Sequence, residues 1–356
     1  MAKVGDIATY INGFAFKPSD WSDSGLPIIR IQDLTGNSYQ ANRYNGSYDT
    51  KYEVLDGDIL ISWSASLGVF VWKGEKALLN QHIFKVVFDK LDVDKSFFVY
   101  QMTDILENAA TSAHGATMKH LTKPVFDNLE FYLPDIQIQK EIAMTLDRVT
   151  SLIALRQKQL EKLDELVKSR FVEMFGEPET NPKGWQRQRF DELCEILDSR
   201  RIPITSADRK AGIYPYYGAS GIVDYVEDYI FDEELLLISE DGANLVMRTT
   251  PIAFSISGKT WVNNHAHVAR FGSRATQKYI EVCFALIDIS GSITGTAQPK
   301  LNQAKLNAML FCMPPIELQE QFAAFVAQTD KSKLAVQKSL EQLETLKKSL
   351  MQKYFG

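Results

Sequence analysis

No apolar run in the 356 residues approaches the roughly 18 needed to span a bilayer. Nor does Met1-Ala2-Lys3-Val4-Gly5-Asp6 have the hydrophobic stretch of a secretory leader. A cytoplasmic protein is expected. Cysteine is scarce: Cys194, Cys283 and Cys312 are scattered, which excludes a thiolate metal knuckle and suits a reducing compartment. There is no Gly-x-x-x-x-Gly-Lys-Ser/Thr loop to cradle phosphates and no His-Glu-x-x-His pair. The glycine-rich cofactor loop and the Asn/Asp-Pro-Pro-aromatic loop that adenine methyl transfer needs are also missing, since Asn181-Pro182 runs into Lys183-Gly184. Positive charge is wanting as well. The net charge is −6, residues 1–130 hold 12 Lys+Arg against 16 Asp+Glu, and residues 181–310 hold 14 against 15. A broad electrostatic grip on nucleic acid is therefore excluded, and any such contact must be local or completed by a partner.

What is present is a repeat. Phe131–Gly176 recurs as Phe311–Gly356 without a gap, with 15 of 46 positions identical, among them Pro134 with Pro314, Gln139 with Gln319 and Phe175-Gly176 with Phe355-Gly356. Apolar residues fall on a 4-3 rhythm through Ile142, Leu146, Val149, Ile153, Leu160, Leu163 and Val167 in the first copy. Phe322, Val326, Val336, Leu340, Leu343 and Leu350 continue it in the second, with Arg156, Lys333 and Lys347 as interruptions. That rhythm is a coiled-coil seam. Each copy starts after proline and stops at glycine, so two helices of about 38 residues and about 57 Å are predicted, packed on each other to cover their stripes. Seam or partner-docking positions assigned on this basis are Ile142, Leu146, Val149, Leu160, Leu163, Leu166, Val326, Leu340, Leu343 and Leu346.

The remaining blocks read as α+β. Short strands are predicted within Leu26–Leu34, Gly57–Trp63, Val69–Trp72 and Ile83–Phe88, and a helix over Ser96–Asn108. In the second block Phe190–Leu193 matches Val4–Ile7, Leu235–Ser239 matches Asp58–Ser62, and Gly295–Leu301 sits at the helices' offset from Gly115–Leu121. The turn-rich Phe175–Trp185 reads as a linker. The predicted layout is a globular block over 1–130, a helix over 131–176, a linker over 177–186, a second block over 187–310 and a second helix over 311–356. His265-x-His267 reads as structural rather than metal-ligating, and Glu240-Asp241 and Asp232-Glu233-Glu234 as solvated loop charge.

Four strings carry a family resemblance: Tyr214–Ile222 (YPYYGASGI), Gly295–Asn302 (GTAQPKLN), Pro314–Gln321 (PPIELQEQ) and the Phe175–Trp185 segment. In this order the chain resembles the specificity subunit of type I restriction-modification systems over its whole length. It departs from the pattern at Pro134-Asp135 and at Met118, where the second copy has Pro314-Pro315 and Gln298. The resemblance implies two globular target recognition domains, each followed by a long helix, the helices packed as an antiparallel coiled coil with pseudo-twofold symmetry. It also implies a non-catalytic reader without cofactor or metal, with each domain binding half of a bipartite double-stranded DNA target. Two methyltransferase subunits would dock on it and motor-nuclease subunits join for restriction. The alternative reading is a coiled-coil scaffold with no sequence-specific DNA binding.

Base edges are read by Arg, Lys, Asn and Gln, and phosphates are held by hydroxyls and amides as well. The polar loops then nominate Arg30, Gln32, Trp63, Lys119 and His120 in the first block. In the second they nominate Arg200, Arg201, Tyr217, Ser220, Lys259, Asn264, His265 and Lys300.

Overall fold

The computed structural model describes residues 1–36, 42–112, 121–295 and 297–356. Helix and sheet are interspersed along the chain, an α+β architecture, and it packs into two units. One comprises Met1–Arg156 with Ser339–Gly356, the other Gln157–Lys338. The division thus falls inside each long helix rather than at its start.

In the first unit a four-stranded antiparallel sheet has the order Thr9–Asn12, Ile83–Val87, Ile59–Ser62, Gly68–Val71. A second has the order Arg43–Tyr44, Leu26–Ile29, Ala77–Leu79, Glu53–Val54, with Ile28 and Ile29 parallel to Leu78 and Leu79. The other unit repeats both. Its first sheet runs Cys194–Ile196, Ala266–Phe271, Leu235–Ser239, Ala253–Ile256, and its second Gly221–Val226, Ala211–Gly218, Lys259–Val262, Phe231–Asp232. There Tyr216 and Tyr217 lie parallel to Trp261 and Val262. Ile59–Ser62 and Leu235–Ser239 are buried along their whole length, which is why they read as continuous apolar runs rather than alternating ones. Leu26–Leu34 is not one strand. It breaks at Arg30, whose amide donates to Asp33 Oδ2 at 2.7 Å and opens a short helix over Ile31–Leu34.

The long helices span Ile136–Phe175 and Ile316–Phe355. Their shared Gln has a task at each entry: Gln139 Nε2 donates to the Pro134 carbonyl at 2.8 Å and Gln319 Nε2 to that of Pro314 at 2.7 Å. Each hydrogen bond stitches the helix start to the turn before it. Gly176 ends the first helix at φ +79°, where a Cβ would also lie 2.5 Å from Pro182 Cγ. The segment after it is a cap rather than a slack connection. Trp185 Nε1 donates to the Phe175 carbonyl at 2.9 Å, and Lys183 Nζ to those of Glu173 and Met174 at 3.0 and 2.7 Å.

The two helices run antiparallel where they meet inside a unit. Phe171 and Phe175 pack on Phe322, each at 5.4 Å between ring centroids, while nearer the other end Asp164 pairs with Lys333 at 2.6 Å. In the first unit Ile142 and Leu146 share a core with Leu350, Tyr354 and Phe355. The basic interruptions are therefore in use: Lys333 makes that ion pair, and Lys347 lies 5.9 Å over the Tyr100 ring. Ile142, Leu146, Val149, Val326 and Leu340 are buried, and Leu160, Leu163 and Leu343 half-buried. Leu166 and Leu346 are not in the seam. They are 47% and 46% exposed: the 4-3 step from Leu163 lands on buried Val167, and the same step from Leu343 lands on Lys347.

Candidate nucleic-acid interface

At one end of the second unit's sheets, four loops are sewn together through the backbone. Strand Ala211–Gly218 turns at Ala219-Ser220, Leu235–Ser239 runs out into Glu240–Gly242, and Lys259–Val262 into Asn263–His265; residues 298–302 fold over them. The amide of Asn263 donates to the Tyr217 carbonyl at 3.0 Å, Glu240 N to His265 O at 2.8 Å, Leu301 N to Glu240 O at 2.8 Å and Gly242 N to Pro299 O at 3.0 Å. Ser239 Oγ donates to the Ala219 carbonyl. Ser220, Asn264, His265 and Lys300, nominated from separate stretches of sequence, consequently emerge side by side.

Under these loops lies a charge cluster that the sequence reading missed. Arg201 Nη1 donates to Glu240 Oε2 at 2.6 Å and to the Ala266 carbonyl at 2.7 Å, and its other nitrogen reaches Asp198 at 3.3 Å. Lys300 Nζ takes the remaining Glu240 oxygen at 3.0 Å. His267 is buried, with Nδ1 2.6 Å from Asp198 Oδ2 and Nε2 2.8 Å from the Leu301 carbonyl. Both ring nitrogens face acceptors. Burial acts to raise the Glu240 carboxyl, but the hydrogen bonds from Arg201 and Lys300 and the charges of His267 and Arg201 outweigh it and hold it below the ordinary glutamate value.

Glu240 is thus not solvated loop charge: its side chain is 12% exposed and fully paired. Asp198, Glu240 and His267 place ligand atoms within 4.8 Å of one another, a spacing a metal ion could use. The same oxygens and nitrogens are already engaged by Arg201, Lys300 and the Leu301 carbonyl. The two histidines do not act as one pair. His265 points the other way, to Asp241 at 2.9 Å.

Other nominated residues lie apart from this group. Tyr217 is half-buried beneath the loops, its ring 6.1 Å from Phe254 and its phenol raised by burial. Arg200 lies 4.6 Å over the Phe231 ring and pairs with Glu233 at 3.1 Å. Lys259, 4.6 Å over Tyr229, stands at the far end of the strand whose other end leads to Asn263.

In the first unit the corresponding loop end is framed alike: Asn80 N donates to Ile29 O at 3.1 Å, Trp63 N to His82 O at 3.3 Å and Leu121 N to Trp63 O at 3.1 Å. Register then equates Asn12 with Asp198, Trp63 with Glu240 and Phe84 with His267. The chemistry is different. Trp63 stacks on Phe84 at 5.7 Å and donates through Nε1 to Asn12 Oδ1 at 3.2 Å. Arg30 lies 5.4 Å over Trp21 beside Asp33, and Gln32 follows on the short helix. Lys119 and His120 lie outside the described residues. A sequence signal for the equivalence did exist: Asn80-Gln81-His82 and Asn263-Asn264-His265 each follow the parallel strand.

The family model described as "Type I restriction modification DNA specificity domain" matches twice, at residues 1–165 and 182–345. The MjaVIII specificity subunit of Methanocaldococcus jannaschii is 23% identical over 389 aligned residues, covering 99% of this chain and 90% of that one. The EcoBI specificity subunit of Escherichia coli is 30% identical over 165 residues, 46% of this chain. That match and one to a Haemophilus influenzae specificity subunit each span only about a third, 34%, of the relative's length. Among solved structures, the type I restriction-modification S subunit from M. genitalium superposes with a TM-score of 0.60 at 15% identity, over 99% of this chain and 95% of that chain. At that identity the likeness speaks to fold alone.

Proposed function

Because the chain belongs to the type I restriction-modification DNA specificity family, we propose that it is the sequence-reading subunit of such a complex and performs no catalysis itself. Each unit reads one half of a bipartite duplex target through its sewn loop end, and the long helices fix the spacing and dock two methyltransferase subunits. Motor-nuclease subunits join that assembly for restriction. The observation that carries this reading is the duplicated loop end: one backbone frame, used twice, presenting different polar side chains. Two different half-sites need such an arrangement. The absence of a basic excess fits a reader whose partners complete the grip on phosphate.

Methylome sequencing of cells with and without this gene tests it. One bipartite methylated motif that vanishes with the gene is expected; an unchanged methylome would favour the scaffold alternative. The pure chain given DNA, Mg²⁺ and a methyl donor should neither cut nor methylate. Replacing residues 1–130 with the block of another family member should change one half-site and leave the other intact. Four residues inserted beside Leu160 lengthen that helix by about 5.4 Å and should lengthen the spacer by about one or two base pairs. An unaltered spacer with full activity would take the ruler role away from the helices.

A further inference from the structure

Between Asn80 and His82, and between Asn263 and His265, one residue is held out by the backbone on both sides of it. The preceding amide is tied to the parallel strand (Ile29 O or Tyr217 O), and the following carbonyl accepts from the neighbouring strand end (Trp63 N or Glu240 N). In the second unit the flanking side chains are consumed as well, Asn263 Oδ1 accepting from His265 N at 2.8 Å and His265 Nδ1 facing Asp241. In the first, the amide of Gln81 is fixed by the Phe14 carbonyl at 2.8 Å. The residue left in the middle is Gln81 in one unit and Asn264 in the other. Both carry a carboxamide, Asn264 is exposed and Gln81 part-exposed, and no described residue hydrogen-bonds either side-chain amide.

We propose that Gln81 and Asn264 are the equivalent specificity-determining residues of the two units, each reading an adenine edge in the major groove of its half-site. This rests on the reading given under Proposed function. A carboxamide sets one donor beside one acceptor, the complement of adenine N7 and N6, whereas guanine offers two acceptors there. The charges beneath Asn264 are already paired, Glu240 with Arg201 and Lys300 and Asp241 with His265, so this tip offers no net charge to a phosphate. A neutral, pre-positioned amide is suited to a base. It lacks the charge by which a phosphate contact gains most of its strength.

The test is selection from duplexes randomised across both half-sites, using the full chain with the modification subunits it is proposed to assemble with. The unaltered protein should select adenine at one position in each half. Gln81→Ala should lower that preference roughly 10- to 100-fold at one position of one half-site, and Asn264→Ala at one position of the other, with other positions and the salt dependence unchanged. Gln81→Arg and Asn264→Arg should move the preference to guanine. Retained adenine selection in both alanine variants would overturn the assignment. So would a uniform loss of affinity with a salt slope lower by about one, the mark of a phosphate contact. If the unaltered complex selects no sequence, the Proposed function itself fails, and this assignment with it.

Discussion

Asn12, Trp63 and Phe84 occupy in one unit the places held by Asp198, Glu240 and His267 in the other. The first group is a stacked aromatic pair with one neutral hydrogen bond; the second is an ionic network closed by Arg201 and Lys300. The backbone hydrogen bonds above them are the same. The frame is therefore carried by main chain, and the support beneath the loops can change from apolar to ionic without moving it. What differs is vulnerability. An aromatic support degrades by lost contacts, whereas an ionic one fails when a partner is removed and a charge is left buried.

The sharpest way to break this comparison is Arg201→Ala. Asp198 and Glu240 would lose their main cation, at a cost of about 3–5 kcal/mol, and denaturant unfolding monitored by amide exchange should show Leu235–Ser239 opening while Ile59–Ser62 stays protected. Equal loss in both strands would mean that the units do not fail separately.

Acid should separate them next. Glu240 is held below 4.5, so its contribution is present above that value and is lost as pH falls through the folded-state value. Asn12, Trp63 and Phe84 have nothing to titrate in that range. As pH falls below the ordinary glutamate value, exchange in Leu235–Ser239 should therefore rise more steeply than in Ile59–Ser62; parallel curves would remove the ionic network's part in stability.

A smaller effect is expected for Trp63→Phe, which keeps a ring beside Phe84 and removes the indole N–H that donates to Asn12. About 1 kcal/mol should be lost from the first unit, read as a shifted denaturation midpoint. Smallest of all, Leu166→Lys and Leu346→Lys should each change stability by within about 0.5 kcal/mol. A larger drop in the isolated chain would put those side chains back in the seam.

Much of the frame could be read from sequence, because helices declare themselves locally. The 4-3 rhythm, the proline entries and the terminal glycines located both long helices, and the paired Pro134/Gln139 and Pro314/Gln319 turned out to be one hydrogen bond used twice. The sheets were harder. Leu26–Leu34 keeps apolar residues at both ends, and only the Arg30–Asp33 contact shows where strand gives way to helix. The site was least legible. Asp198, Glu240 and His267 are far apart in sequence and meet only through strand register, so Glu240 passed for a surface charge, while His267 could be read as structural but not matched to its partners. Asn264, His265 and Lys300 meet the criterion of exposed polar loops and fall at one loop end. Arg200 and Lys259 met the same criterion and lie elsewhere, since composition does not say at which end of a strand a loop falls.

The packing of Ser339–Gly356 with Met1–Arg156 has a consequence in time. Phe355 meets Phe97 at 5.5 Å across most of the length of the chain. A ribosome delivers Phe97 long before Phe355, and at about 5–20 residues per second the first unit waits on the order of ten seconds or more with one side of its core open. The second unit, bounded by Gln157 and Lys338, has all its parts in hand sooner after its own start. The half that is made first is the half that closes last.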